Sequence, residues 1–445
     1  MAENTWKRRG RSDNQPTVAI LAWGLLLEDY LRLAGLTLDE YCERFVGSWM
    51  FDYVAALRRA GVSAIAVLVT AEVDQPVRRC HIPSGMPLWL LPPSELVRKA
   101  RTRHQGPWPH TIGASRGRGV WGRLLQSVRL TVLDLVPYLS TPALPLARVL
   151  RQENCVAVLV QEYEFPRFDV AVLLSRAIHL PLFAVFQGGD YQRWRLERLV
   201  RPHTIRLASG LLIAPEQEAE RVRRQYGFPA ERIHRIPNPV DINLWHPPSR
   251  ERKAAIRNEL GVEWSTPLVA WHGRISSWQK GLDCLVEAWA QVLLAMPEAK
   301  LLLVGSGPDD HQLDTWLERS GVTQSVIRVR ALVHDKAAIA GMLGAADVYV
   351  LPSRHEGFPM AMLEAMACGL PAVATSVAGI REIMGPDPAV GEQVPVEDVD
   401  RFASALIRIL SDSRRAERGQ RARERVVAEF DAMTVGSRLR ELLVG

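Results

Sequence analysis

Short apolar runs of four to six residues alternate with amphipathic stretches, and this order passes twice through the chain. In the first half the runs are Val18–Trp23, Ala64–Val69, Ala157–Val160, Leu182–Phe186 and Leu211–Ala214. In the second half they are Leu268–His272, Lys300–Val304, Ile327–Arg330, Val348–Leu351 and Ala372–Thr375. Runs this short and this continuously apolar are expected of parallel strands covered on both faces. Helical patterns such as Met50–Ala60, Phe168–Ile178, Gly281–Leu294, Asp310–Glu318 and Asp335–Leu343 separate them. A β-α alternation that runs twice predicts two doubly wound, Rossmann-like α/β domains. Four prolines (Pro237, Pro239, Pro247, Pro248) interrupt the pattern and place the boundary near residues 237–252. The expected division is 1–240, 241–425 and a closing helix 426–445 that packs back on the first domain. From Ser413 onward, Arg414, Arg415, Arg418, Arg421, Arg423 and Arg425 alternate with Glu417 and Glu424, which reads as a solvated helix face.

Composition narrows the function. With 445 residues, 47% hydrophobic and 23% charged, the chain has ordinary globular composition and material for sizeable cores. Its five cysteines are scattered without a Cys-x-x-Cys pair, which excludes a zinc ribbon or a disulfide scaffold and suits a reducing compartment. A net charge of +6 fits an anionic ligand or membrane surface but not a dedicated nucleic-acid binder. Lys7, Arg8, Arg9 and Arg11 before the apolar run Val18–Leu27 imitate a signal peptide. Glu28 and Asp29 close that run at once, so a first buried strand and a cytoplasmic location are expected. Between Leu96 and Leu133 lie eight Lys/Arg residues and no Asp or Glu, with Trp108 and Trp121 interleaved. This basic insertion suits docking to an anionic membrane at the inner face, or a groove for a charged or lipid-linked acceptor; a solvated insertion with local aromatic packing fits the same residues.

The densest chemistry lies in Ala346–Thr375. The strand Val348–Leu351 leads into a polar loop, Ser353–Glu356; Gly357 permits unusual backbone geometry, and Pro359 opens a helix that Gly369 ends. A strand–loop–helix of this kind offers free amides at the carboxyl edge of a parallel sheet, where open α/β folds bind ligands. Glu356 lies in the loop and Glu364 five positions past Pro359, roughly 7.5 Å along a helix axis. The two carboxylates would meet different parts of one extended ligand, such as the hydroxyls of a sugar and of a ribose. Arg274 and Lys280, six residues apart after a strand, suit a pyrophosphate. Gly305-Ser-Gly307 also follows a strand, but no Gly-Lys-Ser/Thr follows it, so it is no P-loop.

The unit Glu356-Gly-Phe-Pro-Met-Ala-Met-Leu-Glu364 resembles the Glu-x7-Glu signature of the retaining GT-B glycosyltransferases of family 4. Four further segments are similar to that family's and fall in its order: Trp271–Asp283 (with Gly273-Arg274 and Lys280-Gly281), Leu301–Pro308, Ile236–Asp241 and Ser376–Glu382. The resemblance covers about residues 205–385 and fades before residue 180. It implies two Rossmann-like domains facing each other across a cleft, with a nucleotide-sugar donor, UDP- or GDP-linked, on the second. In that picture Arg274 and Lys280 neutralise the donor diphosphate, with Gly273 and Gly305 beside them. Glu356 faces the donor sugar and Glu364 holds the ribose, while amides around Gly357, Phe358 and Pro359 cradle sugar and phosphate.

The first half departs from the family pattern. Its first turn has only Trp23-Gly24, followed by an apolar insertion, Leu25–Leu38. Where the family often has His, this chain reads Phe186-Gln-Gly-Gly-Asp190. Gln187 can donate a hydrogen bond to a sugar hydroxyl but cannot act as acid or base. Gly188 would let backbone approach a ligand and Asp190 could contact acceptor or donor; a plain tight turn explains the two glycines equally.

These parts lead to a retaining hexosyltransferase that moves a sugar from a nucleoside diphosphate to a glycan, lipid-linked or small-molecule acceptor. No cofactor and no metal are expected: Asp398-Val-Asp400 reads as a helix cap, and Arg274 and Lys280 would take the metal's electrostatic role. Two rivals remain: a silent glycan- or nucleotide-binding subunit of a polysaccharide-synthesis complex, and a sugar-nucleotide epimerase of the same fold.

Overall fold

In the computed structural model, which describes residues 15–22, 24–47, 49–103, 119–189, 194–330 and 335–445, the alternation forms two sheets, each with helices on both faces. The first sheet contains β1 (Thr17–Leu21), β2 (Ser63–Val69), β3 (Val77–His81), β4 (Met86–Leu91), β5 (Cys155–Gln161), β6 (Leu182–Val185), β7 (Gly210–Leu212) and β8 (Ile233–His234). Their order is β3-β4-β2-β1-β5-β6-β7-β8, parallel except where β3 runs against β4. The second holds β9 (Leu268–His272), β10 (Lys300–Val304), β11 (Val326–Val329), β12 (Val348–Leu351), β13 (Ala372–Thr375) and β14 (Gly391–Val394). Its order is β11-β10-β9-β12-β13-β14, parallel throughout.

The strands beyond the predicted set are the ones that break the apolar rule. In β3, three of five residues are exposed, as an edge strand allows. In β4, Pro87 interrupts the apolar run; it precedes the parallel ladder to β2, which begins at Leu88. β8 has two residues, and β14 buries only its ends, Gly391 and Val394, around the polar pair Glu392-Gln393. The predicted first strand ends at Leu21, and Trp23 lies outside the described residues.

The chain crosses between domains at one place and returns beside it. Val240 pairs in parallel with Asp431, through Val240 N–H to the Phe430 carbonyl (2.8 Å) and Ala432 N–H to the Val240 carbonyl (2.9 Å). After that return the helix Ala432–Val444 lies on the helix Trp49–Arg59, and Ala432, Val435, Leu439 and Leu443 join the core of the first domain.

Two surface readings change. The arginines of the helix Arg415–Glu429 do not simply face water. Arg423 donates to the carbonyls of Trp245 (3.0 Å) and Ala367, and Arg425 to those of Ile383 and Glu382 (each 2.6 Å). They seal helix ends that a hydropathy pattern cannot show. In the basic segment, Arg98 pairs with Asp74 (2.5 Å), Lys99 lies 3.8 Å from Glu95, and Arg101 pairs with Asp29. The acids come from outside residues 96–133, which is why the local count misses them. The helix Gly119–Leu139 buries Leu130 and Val136 and exposes Val128, Val132, Leu135 and Leu139; Trp108 lies outside the described residues.

Candidate active site

In each sheet the strand order reverses at one point, and there the loops on either side diverge to leave a crevice. In the second sheet this point lies between β9 and β12, whose register places Ala270 opposite Tyr349 and brings both carboxyl ends to one edge. The loop after β9 carries Gly273, Arg274 and Lys280; the loop after β12 carries Ser353 to Pro359. They are fastened together by Arg354, whose guanidinium makes a bidentate pair with Asp283 (2.7 and 2.7 Å) and donates to the Trp278 carbonyl (2.8 Å). Gly281, in the left-handed region (φ 61°), caps the helix Leu282–Ala295, and a Cβ there would lie 2.0 Å from the Pro352 carbonyl oxygen. Only glycine allows this approach.

That fastening brings the expected charges together. Lys280 Nζ donates to Glu356 Oε1 (2.8 Å), and Ser353 Oγ donates to the same oxygen (2.7 Å). Glu356 is 8% exposed, so its carboxylate is held in a dry setting. The Lys280 ammonium has two donors beyond the one used here. Arg274 is exposed and has no hydrogen bond or ion pair among the described residues; its charge acts on the Tyr30 phenol of the first domain. Gly305 lies against Gly273, its Cβ position 2.0 Å from the Gly273 carbonyl oxygen. Glu364, on the helix Met360–Ala367, accepts a hydrogen bond from His272 Nε2 at 2.9 Å. His272 is buried beside Trp245 and Tyr349, and its Nδ1 has no hydrogen-bond partner among the described residues.

Across the crevice the first domain meets this loop directly. Gly188 and Gly357 approach backbone to backbone: a Cβ on Gly357 would sit 2.4 Å from the Gly188 nitrogen. Gly357 does not have a positive φ, so its role is close approach and not the unusual backbone geometry that the sequence suggests. His355 Nε2 lies 3.0 Å from the Gly188 carbonyl oxygen. Gln187 exchanges two bonds with Asn238 (Nε2 to Oδ1, 2.8 Å; Nδ2 to Oε1, 3.1 Å), and Asn238 also donates to the Phe358 carbonyl (3.0 Å). The Gln187 amide is therefore committed to a joint between domains, where the sequence reading gave it to a sugar hydroxyl. Phe358 packs its ring on Phe430 in the core, and Pro359 caps the helix as its last extended residue, one position before the predicted start. Gly24 (φ 94°) sits in the turn after β1, which the buried Arg167 holds through the Ala22 (2.6 Å) and Leu25 (2.7 Å) carbonyls. Asp190 lies outside the described residues.

Sequence reasoning missed His272, Arg354, Asn238, Arg167 and Glu162. His272 and Arg354 stand within the quoted motifs, beside the residues singled out. Glu162 and Arg167 both follow the end of β5, at the switch point of the first sheet, and only the strand order marks them.

Two doubly wound domains with facing switch points define the GT-B architecture, and the comparisons agree. The structure matches sucrose-phosphate synthase of Thermosynechococcus elongatus with a TM-score of 0.67 at 20% identity, over 96% of this chain and 98% of that one. It matches Anabaena HepE in complex with UDP-glucose with a TM-score of 0.66 at 18% identity, over 96% and 99%. Residues 53–244 match the model described as Glycosyltransferase Family 4, and residues 266–412 the model described as Glycosyl transferases group 1. The chain belongs to the family 4 (group 1) glycosyltransferases.

Among relatives, a GDP-mannose-dependent monoacylated alpha-(1-6)-phosphatidylinositol monomannoside mannosyltransferase of Corynebacterium glutamicum is 35% identical over 218 residues, 47% of this chain and 55% of that protein. A D-inositol 3-phosphate glycosyltransferase of Xylanimonas cellulosilytica is 33% identical over 238 residues, 51% of this chain and 56% of that protein. The chain thus spans little more than half the length of these curated relatives.

Proposed function

We propose that the protein transfers a hexose from a UDP- or GDP-linked sugar to a glycan or lipid-linked acceptor, with retention of anomeric configuration and without a metal ion. The observation that carries this reading is the Lys280–Glu356 pair at 2.8 Å, set at the switch point beside the unpaired Arg274. The donor diphosphate takes Arg274 and the two remaining Lys280 donors; the sugar lies against Glu356 and the amides of Gly357 and Phe358; the ribose lies against Glu364. The sugar C1–O bond breaks first, and the cations stabilise the departing phosphate. The acceptor oxygen then attacks from the same face, and its proton passes to the leaving phosphate oxygen. This supplies a base that Gln187 cannot.

The acceptor approaches from the first-domain side, past Gly24 and Gly188. The relatives' names, GDP-mannose-dependent and phosphatidylinositol-directed among them, support a lipid-linked acceptor. The exposed face of the helix Gly119–Leu139, which begins in the basic segment and extends past it, supports attachment to an anionic membrane at the inner, cytoplasmic surface.

Calorimetric titration with UDP, GDP and ADP tests the donor site. One nucleotide binds in the micromolar range, and Lys280→Ala abolishes that binding. Equal binding by wild type and variant contradicts the assignment, and binding of one nucleotide without any donor turnover favours a silent subunit.

A further inference from the structure

The end of β5 holds an anomaly that the donor site does not use. Glu162 has a left-handed backbone (φ 63°), a conformation that a non-glycine residue keeps only where its surroundings enforce it. Its side chain is buried, and the residue as a whole is 2% exposed. Its two carboxylate oxygens receive two backbone amides of one loop: Gln187 N–H reaches Oε1, and Gly189 N–H reaches Oε2 at 3.1 Å. A Cβ on residue 189 would lie 2.1 Å from that Oε2, so the glycine there is matched to the carboxylate. Between the two held amides lies Gly188, the residue that touches Gly357 and bonds His355. Gln187, one residue earlier, reaches the Phe358 carbonyl through Asn238.

The structure assigns Glu162 a positioning role: its carboxylate fixes the Gln187–Gly189 loop so that the first domain seats against the Glu356–Phe358 loop in one geometry. It touches neither donor nor reacting atoms, and acts through the loop it holds. Burial pushes the Glu162 carboxyl up to about 8, and the two converging N–H groups pull it back toward the form with two acceptor oxygens. A glutamine offers one acceptor and one donor, so it keeps one amide and opposes the other. The role rests on the glycosyltransferase reading, because it is the site across the cleft that the loop completes.

The test uses the full-length chain with Glu162→Gln, Glu162→Asp and Glu162→Ala, and has two arms. In the first, hydrogen–deuterium exchange of peptides spanning 182–195 is followed by mass spectrometry. Exchange in the Gln and Ala variants is expected to accelerate about tenfold or more in that segment alone. In the second, turnover of UDP-glucose and GDP-mannose is measured. For whichever donor the wild type uses, Glu162→Gln lowers kcat about 10- to 100-fold. Its donor KM and its affinity for UDP or GDP stay within about threefold, because the donor contacts lie on the other domain. Glu162→Asp, which keeps both acceptors one methylene short, falls between wild type and Gln in both arms.

Unchanged exchange in Glu162→Gln overturns the proposal, as does faster exchange with unaltered kcat, or a loss carried by donor KM. If Glu162→Ala fails to fold, the Gln and Asp variants decide. A wild type that turns over neither donor counts against the glycosyltransferase reading; the exchange arm still decides whether Glu162 holds the loop.

Discussion

Asp52 on the first-domain helix Trp49–Arg59 and Lys336 at the start of the second-domain helix Lys336–Ala345 form a 2.8 Å ion pair between the domains. Burial raises the Asp52 carboxyl from 3.8 to about 6; Lys336 pulls it down, while Glu364 and Asp241 push it up. A carboxyl raised on folding contributes stability that is complete below its unfolded value and is lost as pH rises through its folded one. The window is therefore from about 4 to about 6. Asp52→Asn removes this titration, so the Tm difference between variant and wild type moves in the variant's favour over that window and is flat by about pH 7. A difference that stays constant from pH 4 to 7 contradicts the shift.

Glu356→Gln keeps the shape at the centre of the site but removes the charge that holds Lys280. Transfer falls by about 10²–10³, as for loss of one electrostatic group in a preorganised site. The fold is retained by circular dichroism. Near-normal turnover removes Glu356 from the chemistry.

Gly357→Ala places a methyl group 2.4 Å from the Gly188 nitrogen, where neither backbone can give way cheaply. The domains cannot seat as they do here, and kcat drops about 10²-fold. Nucleotide affinity, which the proposed function assigns to the second domain, changes much less. Small-angle scattering reports the opening as a larger radius of gyration, and an unchanged radius with full activity contradicts the close contact.

His272→Ala deprives Glu364 of its ring partner at 2.9 Å. Loss of a hydrogen bond to a charged group costs about 1.5–3 kcal/mol, so UDP or GDP binds at least tenfold more weakly by calorimetry. Because the proposal gives Glu364 the ribose and not the reacting sugar, kcat at saturating donor is nearly unchanged. An equal fall in kcat would move His272 into the reaction itself.

Val132→Glu and Leu135→Glu place charges on the exposed apolar face of the helix Gly119–Leu139. Wild type is expected to pellet with vesicles containing phosphatidylserine at low salt, and the double variant to stay in the supernatant. Equal pelleting of wild type with neutral and anionic vesicles argues against an electrostatic attachment.

Much of the fold could be read because parallel strands buried on both faces write themselves as apolar runs. Leu268–His272, Lys300–Val304, Val348–Leu351 and Ala372–Thr375 form as predicted, residue for residue. Strands at sheet edges, such as Val77–His81, carry arginines because one side is open, and they leave no such mark. The site was legible where its residues are neighbours in sequence: the loop Ser353–Glu356 with its helix, and Arg274 with Lys280. It was not legible where the chain must fold to bring them together. Asn238 meets Gln187 and Phe358 across 51 and 120 residues. Arg354 reads as a surface cation until its partners Asp283 and Glu397 are placed beside it.

The return crossing at Val240 and Asp431 has a consequence for how the molecule is made. The first domain needs Val435, Leu439 and Leu443 to complete its core, yet these residues are synthesised after every strand of the second. Domains tend to fold as units while the chain emerges. Here the order is inverted: the second domain can close first, while the first domain waits, with the apolar face of Trp49–Arg59 uncovered, for the helix Ala432–Val444 to come back. Premature termination between Asp431 and Leu439 would thus spare the second-domain core, Phe430 included, and injure the first.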